Sequence, residues 1–96
     1  MKNIIANLNK AFESRIRLGI MSVLMVNDTV DFNTLKELLD ATDGNLASHL
    51  KALESLDYII STKQFIGRKP NTQYAITALG KERFVEHLNA LEEFLK

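Results

Sequence analysis

The sequence has no cysteine, a single proline and no net charge, and each absence removes a class of chemistry. Without cysteine there is no disulfide, no thiolate nucleophile and no thiolate metal site. The two histidines, His49 and His87, stand far apart, and neither sits in a carboxylate motif. No HExxH, phosphate-binding glycine loop or nucleophile elbow occurs. The acidic pair Glu92–Glu93 reads as a solvated helix face, and "EHLNALEE" around His87 would need a second chain to complete a metal site. The expectation is therefore a protein that is not an enzyme and carries no cofactor or metal. No apolar run reaches the ~20 residues that cross a bilayer, and "MKNIIANLNKAF" lacks the apolar stretch of a secretory leader. The expected location is the cytoplasm, with no membrane partner, and the Asn27-Asp28-Thr29 sequon then carries no meaning.

What is present is ordinary in bulk. Ninety-six residues with 46% hydrophobic and 25% charged side chains read as one globular domain, residues 1–96, near the lower size limit for a self-sufficient core. The charges are unevenly placed. Residues 1–17 carry Lys2, Lys10, Arg15 and Arg17 against Glu13 alone. Between 28 and 57, Asp28, Asp31, Glu37, Asp40, Asp43, Glu54 and Asp57 face only Lys36 and Lys51. Residues 58–72 then hold Lys63, Arg68 and Lys69 without an acid.

Periodicity predicts four helices and a hairpin. "AFESRIRLGIMSVLMVND" is apolar on most sides, with Phe12, Ile16, Ile20, Val23 and Leu24 on one stripe, and reads as the buried central helix. Thr29–Phe32 fits a short strand. Asn33 or Thr34 is placed to cap "TLKELLDA", whose Leu35, Leu38 and Leu39 are expected inward. "ATDGN" reads as a turn around Gly44, followed by a helix with Leu46, Leu50, Leu53 and Leu56 on its buried stripe. Two short helices joined by a tight turn form a helix-turn-helix. "YIISTKQFI" and "TQYAIT", joined by "GRKPN", predict a hairpin with Pro70 at the start of the returning strand. Thr77 then caps a last helix, about 78–95, in which Phe84, Leu88, Leu91 and Leu95 repeat at helical spacing. The fold class is α+β.

"SRIRLGIMSVL", "DFNTLKELLDATDGNLASHLKALESLDYI" and "FIGRKPNTQYAITALGKERF" together resemble the small stand-alone winged-helix transcriptional regulators related to the ArsR and MarR groups. The resemblance covers about residues 12–84. It departs at Asp57, where relatives usually carry glycine, and at Ala47, where many carry serine. It implies sequence-specific binding of double-stranded DNA, with the helix at 45–57 in the major groove and the wing at 59–76 on the backbone or minor groove.

The DNA-binding residues that this implies are Thr42, Gly44, Asn45, Ser48, His49 and Lys51 on the helix, with Lys63, Arg68, Lys69 and Thr72 on the wing. The chemistry agrees in part. Asn matches adenine and Lys matches guanine in the major groove, while Ser and a helix N-terminus suit phosphate. An acid-free basic turn suits phosphate or minor-groove contact. His49 reads equally as a DNA contact or as a polar residue packed beside the second helix. Asp43 is expected to cap the recognition helix, and Arg15 and Arg17 to pair with nearby acids. Ile4, Ile5 and Leu8 at one end, with Phe84, Leu88, Leu91 and Leu95 at the other, are expected to form a homodimer interface, the alternative being packing on the chain's own core. An effector, if any, would lie between the last helix and the core or between two chains. The acid excess from 28 to 57 supports a rival reading, a winged helix that binds a protein instead of DNA.

Overall fold

Polar caps set the boundaries of the elements. The structure is a computed structural model that describes residues 4–96, and of Ile4 the backbone alone. Two short 3-10 turns, Ile4–Asn7 and Lys10–Phe12, precede α1 (Arg15–Met25). The Ser14 hydroxyl accepts from the Arg17 N–H at 3.3 Å and starts that helix. The predicted central helix is thus divided: Phe12 belongs to the preceding turn, capped by Asn9, and drives its ring into the core. There it meets Tyr58 at 5.5 Å and stands edge-on to Phe84 at 5.3 Å.

A short strand β1 (Val30–Asp31) runs without a linker into α2 (Phe32–Leu39). Asp31 caps that helix, its carboxylate accepting from the Thr34 N–H at 2.9 Å, in place of the predicted Asn33 or Thr34. The Thr34 and Asn71 donors hold the Asp31 carboxyl below its ordinary range. Leu35 is buried and Leu39 packs beside Gly19, but Leu38 is exposed. It lies about 80° around the helix from the Leu35–Leu39 direction, so the predicted inward triplet is a pair.

The turn expected at Gly44 lies earlier in the chain. Asp40 takes the left-handed conformation (φ 48°), its N–H bonding the Glu37 carbonyl and the next N–H, of Ala41, reaching the Lys36 carbonyl. Thr42 then caps α3 (Asp43–Ser55), so Gly44 is inside the first helical turn. Leu46, Leu50 and Leu53 of α3 are buried, while Leu56 sits half-exposed past the helix end. Asp57 at φ 62° closes the same two-bond motif, with Asp57 N–H to Glu54 and Tyr58 N–H to Leu53.

β2 (Ile59–Ile66) and β3 (Lys69–Ile76) form the hairpin, and β3 pairs on its other edge with β1, giving the order β1-β3-β2, all antiparallel. The turn is only Gly67–Arg68, with Gly67 at φ 64°, the glycine-first arrangement that suits strand twist. Pro70 is the second residue of β3, at the start of the returning strand as predicted, and is paired with Phe65. Ile66–Lys69 is the hydrogen-bonded pair beside the turn, so at Phe65–Pro70 the N–H positions point outward, where Pro70 has none to lose. β1 reaches only Gln73 and Tyr74, leaving that edge open.

Thr77 starts α4 (Ala78–Glu93) as predicted, accepting from the Gly80 N–H at 2.9 Å and donating to the Asp57 carbonyl at 2.6 Å. One core joins these elements. Phe12, Ile20, Met21, Leu24, Leu35, Leu46, Leu50, Leu53 and Ile59 are its fully buried side chains, each contributing ~1.5–3 kcal/mol from burial before entropy is subtracted. The result is the expected α+β winged helix. Among the described residues no helix is long and apolar enough to cross a membrane.

Candidate nucleic-acid interface

With its leucines locked into the core, α3 turns a polar face outward. Asn45, Ser48 and Lys51 are exposed, and their side chains have no hydrogen-bond or ion-pair partner among the described residues. Thr42 spends its hydroxyl oxygen on the Asn45 N–H, at 3.2 Å, and keeps its proton to donate. The N–H groups of Asp43 and Gly44 find no acceptor among the described residues and open toward solvent, as the first amides of a helix do. A methyl on Gly44 would meet nothing within 4 Å, so nothing inside the chain calls for glycine there.

The wing is a second, separate surface. Lys63, Arg68 and Lys69 are exposed without ion-pair partners among the described residues, and Thr72 is half-buried. Its apolar tip escaped the sequence reading: Phe65 is 74% exposed and Ile66 61% exposed, flanking the basic turn. Strand alternation had signalled β-propensity there and nothing about coverage.

Several acids of the 28–57 segment are engaged within the fold. Asp43 does not cap α3. It pairs with Lys36 of α2 at 2.8 Å, and this cation offsets a negative charge beside the helix N-terminus. Asp31 is occupied by Thr34 and Asn71. Glu54 lies near the Tyr74 phenol and, after burial, is the second influence raising its pKa, which places this acid on the sheet side of α3.

Among the described residues, neither Arg17 nor Arg15 pairs with an acid. Arg17 donates from Nε to His49 Nδ1 at 3.0 Å and from Nη1 to the Ala11 carbonyl at 3.5 Å. Arg15 is exposed and outside every ion pair among the described residues. His49 is half-buried at the rim of the outer face, bonded to α1 through Arg17. No sequence signal links residues 17 and 49, which α1 and α3 bring together.

The expected dimer residues divide. Phe84 is 2% exposed and belongs to the chain's own core, which removes it from any interface. Leu88 is 41% exposed, Leu91 40% and Leu95 86%, and Val85, Phe94 and Ile5 join them on the surface. Leu8 is half-buried, and the side chain of Ile4 lies outside the described residues. α4 buries Gly80, Phe84, His87 and Ala90 instead. Gly80 at one end of that stripe lets the helix approach the Tyr58 carbonyl closely, and the leucines face outward. A groove of about 550 Å³ between the N-terminal segment and α4 is lined by Asn7, Lys10, Arg83, Glu86 and others, with both signs of charge. His87 beneath it is buried against Phe12, and its Nδ1 accepts from the Asn9 N–H at 3.0 Å. Burial pushes its pKa down, partly offset by Glu13.

An exposed helix-turn-helix face beside a basic hairpin defines the class: a winged helix of the nucleic-acid-binding type. Residues 16–95 match the family model described as a winged helix DNA-binding domain, and the chain belongs to that family. It is 34% identical over 87 residues to an uncharacterised protein of Methanocaldococcus jannaschii, covering 91% of this chain and 95% of the other. The structure of a transcriptional regulator homologue from Pyrococcus horikoshii OT3 superposes with a TM-score of 0.77 at 32% identity, covering 94% of each chain. A MarR-family regulator from Silicibacter pomeroyi shares the fold at a TM-score of 0.64 and 14% identity, over 97% of this chain and 67% of its own. The family is described as DNA-binding and the Pyrococcus horikoshii neighbour as a transcriptional regulator homologue, neither of them as an enzyme.

Proposed function

We propose that the chain, residues 1–96 acting as one domain, is a sequence-specific regulator of transcription that binds double-stranded DNA as a homodimer. The observation that carries this is the outer face of α3. Its Asn45, Ser48 and Lys51 are exposed and have no side-chain partner among the described residues, while the opposite leucines are fixed in the core. A rigid helix offering an amide, a hydroxyl, an ammonium and free N-terminal N–H groups has the donors that base edges and phosphates accept. Lys63, Arg68 and Lys69 then lie along the backbone or minor groove beside it, as exposed cations on an acid-free hairpin. Engagement of Asp31 and Asp43 within the fold, with Glu54 on the sheet side of α3, weakens the case for a protein-binding winged helix, which rested on the acid excess.

The dimer reading draws support from Leu88, Leu91, Leu95 and Ile5, an apolar surface that the chain's own core leaves open. Two copies joined there would present paired α3 helices to half-sites one turn, ~34 Å, apart. The test is selection from a randomised duplex pool. Enrichment of a pseudo-palindrome with that spacing is expected; a single unpaired site would sink the dimer, and no enrichment would sink the DNA reading.

A further inference from the structure

We propose that Arg17 is a positioning residue that fixes His49 as a donor-only reader of the major groove; this rests on the duplex-binding reading above. Arg17, on the first turn of α1, bridges two elements, with Nε on His49 Nδ1 at 3.0 Å and Nη1 on the Ala11 carbonyl at 3.5 Å. A guanidinium only donates, so the imidazole nitrogen facing it carries no proton. The proton of the neutral ring is then on Nε2. His49 so held offers one N–H donor and no free acceptor.

Its place on the helix suits reading. His49 stands four residues beyond Asn45, about 40° around α3, and next to Ser48. It is half-buried at the rim of the face assigned to the duplex. A single donor there is matched by guanine O6 or N7, adenine N7 or thymine O4, and is opposed by the amino group of cytosine. An unpinned imidazole could turn either nitrogen outward and would accept from cytosine as readily as it donates to guanine. Pinning converts an ambiguous side chain into a selective one. Arg17 itself need not touch the duplex for this.

The chain has only two histidines, so nitrogen–proton correlation spectra of the free, labelled protein resolve the tautomer directly. We expect a bare Nδ1 and a protonated Nε2 for His49 in the wild type, a mixture of tautomers in Arg17→Met, and the wild-type form in Arg17→Lys, which restores a donor. In duplex selection, His49→Ala and Arg17→Met should lose about tenfold discrimination against cytosine at one position per half-site and keep the rest of the preference. Arg17→Lys should recover part of it. A wild-type tautomer or a wild-type base preference in Arg17→Met would overturn the positioning role even if DNA binds. If the wild type enriches no duplex, the reading beneath the proposal fails and the base-reading role falls with it, whatever the spectra show.

Discussion

Replacing Gly44 with alanine separates what the fold needs from what a ligand needs. Gly44 occupies the second position of α3 behind the Thr42 cap, its φ lies outside the left-handed region, and an added Cβ meets nothing within 4 Å. Glycine in a helix costs roughly 0.5–1 kcal/mol relative to alanine through backbone entropy, so Gly44→Ala should stabilise the free protein by up to that amount. For a domain of this size the midpoint of thermal unfolding should rise by roughly 2–8 °C. On DNA the sign should reverse. The unsatisfied N–H of Gly44 and its bare Cα allow a phosphate to approach the helix start closely, and a methyl there would stand between them. Calorimetry of the free protein and anisotropy titration with a selected duplex give the two numbers. A higher midpoint with weaker binding is expected. A higher midpoint with unchanged or tighter binding would refute the close approach, and a lower midpoint would refute the reading of this turn.

Other substitutions test other joints of the fold. Asp40 and Asp57 hold left-handed conformations that glycine adopts without strain, so Asp57→Gly should stabilise by ~0.5–1 kcal/mol in urea or thermal unfolding, and Asp40→Gly should add to it. His87 is buried neutral with its pKa below the ordinary 6.5, so as pH falls past that value the unfolded chain takes up a proton that the folded one refuses. Its contribution therefore makes stability fall from pH 7.5 to 5.5, and in His87→Gln the drop in melting midpoint across that window should shrink; an unchanged drop would contradict the assignment. Leu91→Glu puts a charge on the exposed α4 face, and light scattering should then report a monomer while the circular dichroism of the fold persists. Gly80→Ala would drive a methyl into the Tyr58 carbonyl, where backbone blocks it, and should destabilise by more than ~1–3 kcal/mol.

The sequence was legible where local chemistry and packing agree. Thr77 caps α4, Leu46, Leu50 and Leu53 point into the core, and Gly67 turns the hairpin, because each signal is satisfied within a few residues. It misled where one composition serves two structures. "ATDGN" has the residues of a turn and equally those of a capped helix start, and Thr42 decided for the helix by accepting from Asn45. Asp31 was hidden as a cap because it is also the last residue of β1. The leucine repeat of α4, read as a dimer surface with core packing as the alternative, divides between the two, because Phe84 is buried with Gly80, His87 and Ala90 while Leu88, Leu91 and Leu95 stay on the surface. For the candidate interface, the polar residues of α3 and the basic wing were readable from spacing and family resemblance. The Arg17–His49 bond and the Lys36–Asp43 pair were not, because each joins different helices through tertiary packing.

The central claim, that α3 and the wing meet a duplex, is tested most directly by the salt dependence of binding. Anisotropy on a randomised duplex pool across ~50–200 mM salt would compare the wild type with the Arg68→Ala/Lys69→Ala double variant. The wild type should lose affinity steeply as salt rises, and the double variant should bind more weakly with a log–log slope shallower by about two, one for each lost phosphate contact. Equal slopes would remove the wing from the interface, and negligible binding by both at the lowest salt would contradict DNA as the partner.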